Sequence, residues 1–366
     1  MKIAFYSPLK SPHHPVPSGD RLMARLLIEA LRRKGHRVDV VSELRAFLRE
    51  PVGDDFGALR EAAAHEVERI ASGWADEGPA DVWFCYHPYY KAPDLIGPAL
   101  ARRFALPYVT AEASYSNRRN RGHWQVSQAG LREALSHAAV NICMTERDRR
   151  GIAETVPDAR CALLRPFIDP APFRLRDPAP EAGRLAAVAM MRPGDKMDSY
   201  AMLGRALSRV THPSWRLSIA GDGPLQGEVE ACFAGLPAAR IEWLGECSSE
   251  AVAGLLARSA LYVWPGCGEA YGLAYLEAAA AGVPAVAQAI AGVPEVVRDG
   301  VTGLLTPPGD IAAYAAAIDR LLGDDGLRQS MAASARRVAA EDHSIEAAAS
   351  RLDTILHDSR EHPWRD

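Results

Sequence analysis

Short apolar runs, each followed by a stretch of helical period, recur along the chain. The first is Lys2-Ile-Ala-Phe-Tyr6. A Pro/Ser/His/Gly-rich loop then leads to Gly19, after which Leu22, Leu26, Leu27, Ala30 and Leu31 fall on one helical face. Arg32, Arg33, Lys34 and Gly35 suit the end of that helix. Arg37-Val-Asp-Val-Val41 reads as the next strand. Strand, helix and strand in this order form a parallel α/β unit. The pattern predicts further strands over 81–85, 108–111 and 140–144, with helices over 95–104 and about 127–137.

A Pro-rich stretch over 165–180 breaks the periodicity and reads as a linker. A second series starts at Leu185-Ala-Ala-Val-Ala-Met190 and predicts strands over 215–220, 241–244, 261–264, 284–287 and 303–305. One long Ala/Arg-rich helical tail is expected over 311–357. The prediction is therefore an α/β protein of two doubly wound domains facing a central cleft, with residues 1–168 and 184–343 as the domains and 169–183 as the linker. Ligands bind such sheets at the C-terminal ends of their strands.

Composition narrows the functions. The 366 residues are 24% charged and 48% hydrophobic with a net charge of -4, which excludes a disordered chain and carries no basic excess of the kind nucleic acid attracts. The six cysteines lack C-x-x-C spacing, so reduced thiols are expected rather than a zinc ribbon or a disulfide framework. No signal peptide is read at the N-terminus. The longest uncharged stretch, 278–294, is broken by Gly282, Pro284, Gly292 and Pro294, whereas a membrane span needs about 20 apolar residues. These features predict a soluble cytoplasmic protein, with peripheral contact at the inner membrane face left open.

The most informative segment is Glu269-Ala-Tyr-Gly-Leu-Ala-Tyr-Leu-Glu277. The helix-forming run after Gly272 places Glu269 at a helix entrance and Glu277 about two turns in, roughly 12 Å apart at 1.5 Å per residue. Carboxylates that far apart cannot share a proton or a metal, but they can hold hydroxyls at the two ends of one ligand. The backbone N–H groups of Tyr271, Gly272 and Leu273 at the helix start suit an anion between them. Hydroxyl, anion, hydroxyl is the layout of a nucleotide sugar. A capping Glu269 and a salt-bridged Glu277 are the competing reading, because the spacing also arises by chance. Arg192 and Lys196, in Met190-Met-Arg-Pro-Gly-Asp-Lys196, fall on a loop after a strand and could neutralise a diphosphate. Gly221-Asp-Gly-Pro224 follows another strand as a tight turn, with Pro224 expected at the first helical position.

This series of motifs resembles the retaining glycosyltransferases of family 4, which have the GT-B fold. The resemblance rests on Glu269 and Glu277, Gly221-Asp-Gly-Pro224, Gly282-Val-Pro-Ala-Val286, Gly292-Val-Pro-Glu295, Asp299-Gly300, Thr302-Gly303, Leu305 and the run 307–310, and it spans about 185–322. It implies two Rossmann-like domains, with acceptor binding in the first and nucleotide-sugar binding in the second. It also implies that the C-terminal segment 344–366 crosses back to the first domain, with Trp364 as anchor. Glu269 would contact the donor sugar, Glu277 the ribose, and Arg192 and Lys196 the diphosphate, Gly221 lying on the donor side. The family commonly has Gly-Arg and a lysine five residues on; this chain has Met191-Arg192 and a spacing of four.

The first half departs further from the pattern. Ser18-Gly19-Asp20 stands where the family often has a Gly-Gly pair near the diphosphate; here only Gly19 is present, and Ser18 or Asp20 could cap the helix instead. The tract 7–17, with His13 and His14, sits where an acceptor loop belongs. His87 ends a strand and faces the expected cleft. Glu112 stands next to the position where the family often carries a histidine. The basic run Asn117-Arg-Arg-Asn-Arg-Gly-His-Trp124 could meet an anionic acceptor or a phospholipid surface, or be only a solvated loop.

The expected activity is retaining transfer of a hexose from a nucleoside-diphosphate sugar to an acceptor hydroxyl in polysaccharide, glycolipid or glycoconjugate synthesis. A UDP-sugar is favoured and GDP-mannose is the alternative donor. His87 and Glu112 join Arg192, Lys196 and Glu269 as catalytic candidates. No metal and no cofactor is expected, because no D-x-D suited to a diphosphate-bound cation stands at a strand end. The acceptor is unidentified, lipid-linked or anionic among the options. Competing readings are a sugar-nucleotide epimerase with His87 and Glu112 as acid and base, and a non-catalytic sugar-nucleotide-binding protein. A dinucleotide oxidoreductase is disfavoured because Gly221-Asp-Gly-Pro-Leu-Gln-Gly227 puts its third glycine one place late.

Overall fold

The structure is a computed structural model, and it describes residues 1–16 and 18–364. Pro17, at the end of the expected acceptor tract, and residues 365–366 of the C-terminal segment lie outside the described residues. The chain forms two compact units, residues 1–165 with 346–366, and residues 166–345.

The N-terminal unit runs β1 (Lys2–Tyr6), α1 (Gly19–Arg33), β2 (Arg37–Val40), α2 (Asp55–Glu77), β3 (Val82–Tyr86), α3 (Gly97–Phe104), β4 (Tyr108–Ala111), α4 (Gln125–His137), β5 (Val140–Cys143), α5 (Glu146–Thr155) and β6 (Cys161–Leu163). Its six strands are parallel in the order β2-β1-β3-β4-β5-β6. Strands β3, β4 and β5 are buried along their whole length. Helices cover both faces of such a sheet, which is why these strands read as continuous apolar runs rather than as alternation.

The C-terminal unit runs α6 (Ala171–Arg174), β7 (Arg184–Val188), α7 (Asp195–Leu207), β8 (Arg216–Ala220), α8 (Gln226–Ala231), β9 (Ile241–Gly245), α9 (Ser249–Ala257), β10 (Leu261–Val263), α10 (Leu273–Ala280), β11 (Ala285–Gln288), α11 (Val293–Val296), β12 (Gly303–Thr306), α12 (Ile311–Gly323) and α13 (Asp325–Glu341). Its sheet is also parallel, in the order β12-β11-β10-β7-β8-β9. The last helix, α14 (Ile345–Ser359), belongs from Glu346 onward to the N-terminal unit. There Trp364 is buried, stacked on His137 at 4.9 Å and edge-on to Tyr108 at 5.7 Å, with its backbone N–H bonded to the Leu106 carbonyl.

Several elements differ from expectation. The 23-residue α2 was not expected, since its buried stripe of Leu59, Ala63, Ile70, Ala71 and Trp74 is narrow and half alanine-like in size. The short β6 and the charged α5 were missed as well. The expected helical tail consists of three helices. Asp324 ends α12 and caps α13 by accepting from the Leu327 N–H, and a second break precedes α14 at His343–Ser344, where Ser344 bridges Ile168. Pro224 lies before the α8 cap residue Leu225, not inside the helix. No helix among the described residues is long and apolar enough to cross a membrane.

Candidate functional site

The residues singled out by sequence fall into two constellations, one in each unit. In the C-terminal unit the first is built at the end of β7. Gly221, at φ +157°, passes so close that a Cβ there would stand 1.8 Å from the Ala189 carbonyl oxygen, and one on Gly223 would stand 2.2 Å from that of Met191. Only glycine permits this approach. The closeness is used: Ala189 N–H donates to Ala220 O, Met191 N–H to Asp222 O at 2.8 Å and Leu225 N–H to Met191 O. The Tyr200 hydroxyl also donates to Ala189 O at 2.7 Å. The glycine turn thus clamps the backbone that carries Arg192.

Arg192 itself is exposed and makes no hydrogen bond or ion pair among the described residues. Lys196 is not on the loop, as expected, but is the second residue of α7, because the turn closes at Gly194. Its ammonium forms an ion pair with the Glu269 carboxylate and lies 5.4 Å from the centre of the Trp264 ring. Trp264 donates its indole N–H to the same Glu269 oxygen at 3.2 Å.

Glu269 stands on the loop between β10 and α10, three residues before the helix cap. It is not at the helix entrance, and Glu277 is the fifth residue of α10, about one turn in rather than two. The cause is the backbone: Gly266, Gly268 and Gly272 all take φ near +70 to +80°, which turns the chain before the helix can start. Buried groups hold this loop. Tyr275 donates its hydroxyl to Trp264 O at 2.8 Å, Gln288 donates its side-chain N–H to Pro265 O at 3.0 Å, and Cys267 N–H donates to the Ser199 hydroxyl at 2.9 Å.

No side chain caps the N-terminus of α10, so the first N–H groups after Gly272 are left without intrahelical partners. Tyr271 is buried beside it, and Leu273 opens the helix half-buried. Glu277 is half-buried and has no hydrogen bond or ion pair among the described residues. Burial pushes its carboxyl up to about 7, because nothing replaces the lost hydration of the anion.

The second constellation lies in the N-terminal unit, at the C-terminal ends of β3 and β4. Tyr86 and Ala111 are register partners, and the residue after each, His87 and Glu112, is left-handed at φ 59° and 56°. Non-glycine residues hold that conformation at a cost, and such strain concentrates at functional positions. Nδ1 of His87 lies 3.0 Å from the Asp20 carboxylate, and the Tyr86 hydroxyl donates to Glu112 at 2.9 Å. Burial opposes the imidazolium, yet the Asp20 hydrogen bond and the charges of Glu112, Asp20 and Asp148 leave the His87 pKa raised. Asp20 is correspondingly lowered: burial opposes its anion, and the hydrogen bond and charge of His87 outweigh that effect.

Gly19 is the first residue of α1 with open space around its Cα, and Ser18 caps that helix by accepting from Arg21 N–H at 3.2 Å. His13 is bonded to Glu43 and His14 accepts from Val16 N–H, so each is satisfied locally. Asp20, Trp264, Tyr275 and Gln288 were not singled out as site residues. Only the Ser-Gly-Asp run hinted at Asp20; for the others the sequence carries no signal beyond an apolar or small-residue context.

Two parallel six-stranded sheets, each flanked by helices, are the architecture of a GT-B glycosyltransferase. HepE of Anabaena, solved in complex with UDP, superposes with a TM-score of 0.73 over 98% of this chain and all of its own length, at 16% identity. Residues 183–324 match the family model of glycosyl transferases group 1, so this part of the chain is similar to that family. Over 193 residues it is 36% identical to an exopolysaccharide phosphotransferase of Streptomyces coelicolor, covering 52% of this chain and 20% of the relative. Over 204 residues it is 33% identical to the glycogen synthase of Mycobacterium tuberculosis, covering 55% and 47%. The chain therefore spans between a fifth and about half of these relatives.

Proposed function

We propose that the protein is a retaining family 4 glycosyltransferase that moves a hexose from a nucleoside-diphosphate sugar to an acceptor hydroxyl. The observation that carries this reading is Glu277: a half-buried carboxyl without a partner among the described residues, raised to about 7, one helical turn beyond an uncapped helix N-terminus. A carboxylate in that state gains most from a ligand that brings O–H donors, and a ribose diol brings two. The α10 N-terminus is suited to the adjoining diphosphate.

Arg192, a cation without an ion pair among the described residues, is assigned to that diphosphate, and its planar guanidinium can bind two phosphate oxygens at once. Lys196, tied to Glu269 without ligand, moves onto phosphate when the sugar's hydroxyls take over Glu269. In the reaction the bond from the anomeric carbon to the leaving diphosphate oxygen breaks. The acceptor oxygen bonds to the same face, and its proton passes to the leaving phosphate. Positive charge placed where the leaving group gains charge is the main catalytic resource, and we assign it to Arg192, Lys196 and the helix end without a metal. A UDP-sugar is favoured because HepE binds UDP; GDP-mannose is the alternative. His87 and Glu112 are assigned to sugar and acceptor hydroxyls.

The test is a thermal-shift panel of UDP-, GDP-, ADP- and TDP-sugars on the native chain and on Glu277→Gln. One nucleotide class should raise the native melting temperature with the logarithm of its concentration, and the variant should lose that shift. A panel with no shift in the millimolar range would remove the nucleotide-sugar reading.

A further inference from the structure

Between Glu112 and Glu133 the chain has no acidic residue, yet it carries Arg118, Arg119, Arg121, His123 and Arg132. Residues 117–121 and 123 are exposed on two short 3-10 turns that lead into α4. Arg118, Arg119 and Arg121 form no ion pair among the described residues. Aromatic rings lie directly behind them. Trp124 meets Tyr90 at 5.0 Å and Phe56 at 6.0 Å, Lys91 stands 5.8 Å from the Trp124 ring, and Arg119 stands 5.8 Å from that of Tyr90. Val126, two residues after Trp124 in α4, is 54% exposed, and Val52, four residues before Phe56, is 74% exposed.

Unpaired arginines beside half-buried aromatic rings and protruding valines form the chemistry of a bilayer interface. The cations reach lipid phosphates, amphipathic rings sit at headgroup depth, and small apolar side chains enter the acyl boundary. A loop that was only solvated would need neither the aromatic backing nor two exposed valines flanking it. We propose that this rim of the N-terminal unit is a docking surface for an anionic phospholipid membrane. The same strand ends carry His87 and Glu112, so docking presents that constellation to hydroxyls at the bilayer surface. The proposal concerns binding alone and stands apart from the transfer reaction.

The experiment is co-sedimentation of the full chain with vesicles of phosphatidylglycerol mixed into phosphatidylcholine, and with phosphatidylcholine alone. Binding is expected only to the anionic vesicles and should weaken as salt rises. Each basic residue near such a surface strengthens binding about fivefold, so Arg118→Gln/Arg119→Gln/Arg121→Gln should lose affinity on the order of a hundredfold. Val126→Asp should weaken binding with the arginines intact, and the melting temperature of each variant checks the fold. Equal binding to neutral vesicles, native binding by the triple variant, or release from the vesicles by inorganic phosphate at constant ionic strength would each overturn the proposal.

Discussion

Removing the charge of Glu277 should make the unliganded protein more stable, by an amount that grows as pH rises from about 4.5 to about 7. The group has an ordinary value of 4.5 and is pushed to about 7 by burial. The folded state therefore holds a proton that the unfolded chain releases, so stability falls as pH rises from about 4.5 to about 7 and stays low beyond. With these two values the penalty is about 1 kcal/mol at pH 5 and about 3 kcal/mol at pH 8. Glutamine keeps the shape without the charge, so the advantage of Glu277→Gln in urea unfolding should grow by about 2 kcal/mol between pH 5 and pH 8. Donor binding should behave in the opposite sense. A ribose diol needs the ionised carboxylate as acceptor, so native affinity should weaken about tenfold per unit below pH 7, and the glutamine variant should lack that dependence. The assays are urea titrations followed by circular dichroism, and calorimetric donor binding across the same pH range. The reasoning is refuted if Glu277→Gln is destabilised at pH 8, because a carboxylate whose loss destabilises has a partner in the unliganded fold.

Arg192→Ala should fold normally and lower single-turnover transfer on the order of 100-fold at saturating donor, an effect of about 3 kcal/mol in the transition state; near-native turnover would free Arg192 from the site. Asp20→Asn should lower the His87 pKa, read from its imidazole NMR titration, since it removes both the charge and the strongest acceptor that raise it. Transfer should persist in excess chelator, and a loss reversed by magnesium or manganese would show that the cations of this chain are insufficient. Gly221→Ala should destabilise the C-terminal unit by several kcal/mol in urea unfolding, because its methyl would overlap the Ala189 carbonyl.

The strands were legible because burial on both faces leaves uninterrupted apolar runs: Val82–Tyr86 and Arg216–Ala220 stand within a residue or so of their expected places. Helix α2 was not, since a stripe resting on Ala63 and Ala71 gives little periodic contrast. The motif around Glu269 and Glu277 lies within the region 183–324 that matches the group 1 glycosyl transferase model, but its geometry was misjudged. Three glycines in the left-handed region hold Glu269 outside the helix, and glycine alone does not announce which conformation it takes. Pairings were the least visible layer. Asp20 and His87 are 67 residues apart, and Lys196 and Glu269 are 73 apart. Such contacts depend on strand order, and residue types along the chain do not encode them locally.

Both units carry features that the fold alone would not select. In one, a carboxyl is half-buried without a partner among the described residues, where glutamine, or an apolar side chain of similar volume, should be more stable. In the other, two neighbouring strands each end in a left-handed non-glycine residue, where glycine would relieve strain on the order of 1 kcal/mol or more at each position. These costs fall at the C-terminal ends of parallel strands or at the start of the helix that follows one, where a doubly wound sheet exposes its backbone to ligands. Core packing explains none of them. The tight glycine contacts at Ala189 and Met191 and the bonds from Tyr275 and Gln288 do the opposite, adding order around Arg192 and Glu269. Local destabilisation of the groups that would meet a ligand, together with rigid support behind them, is the arrangement expected of a preorganised binding site.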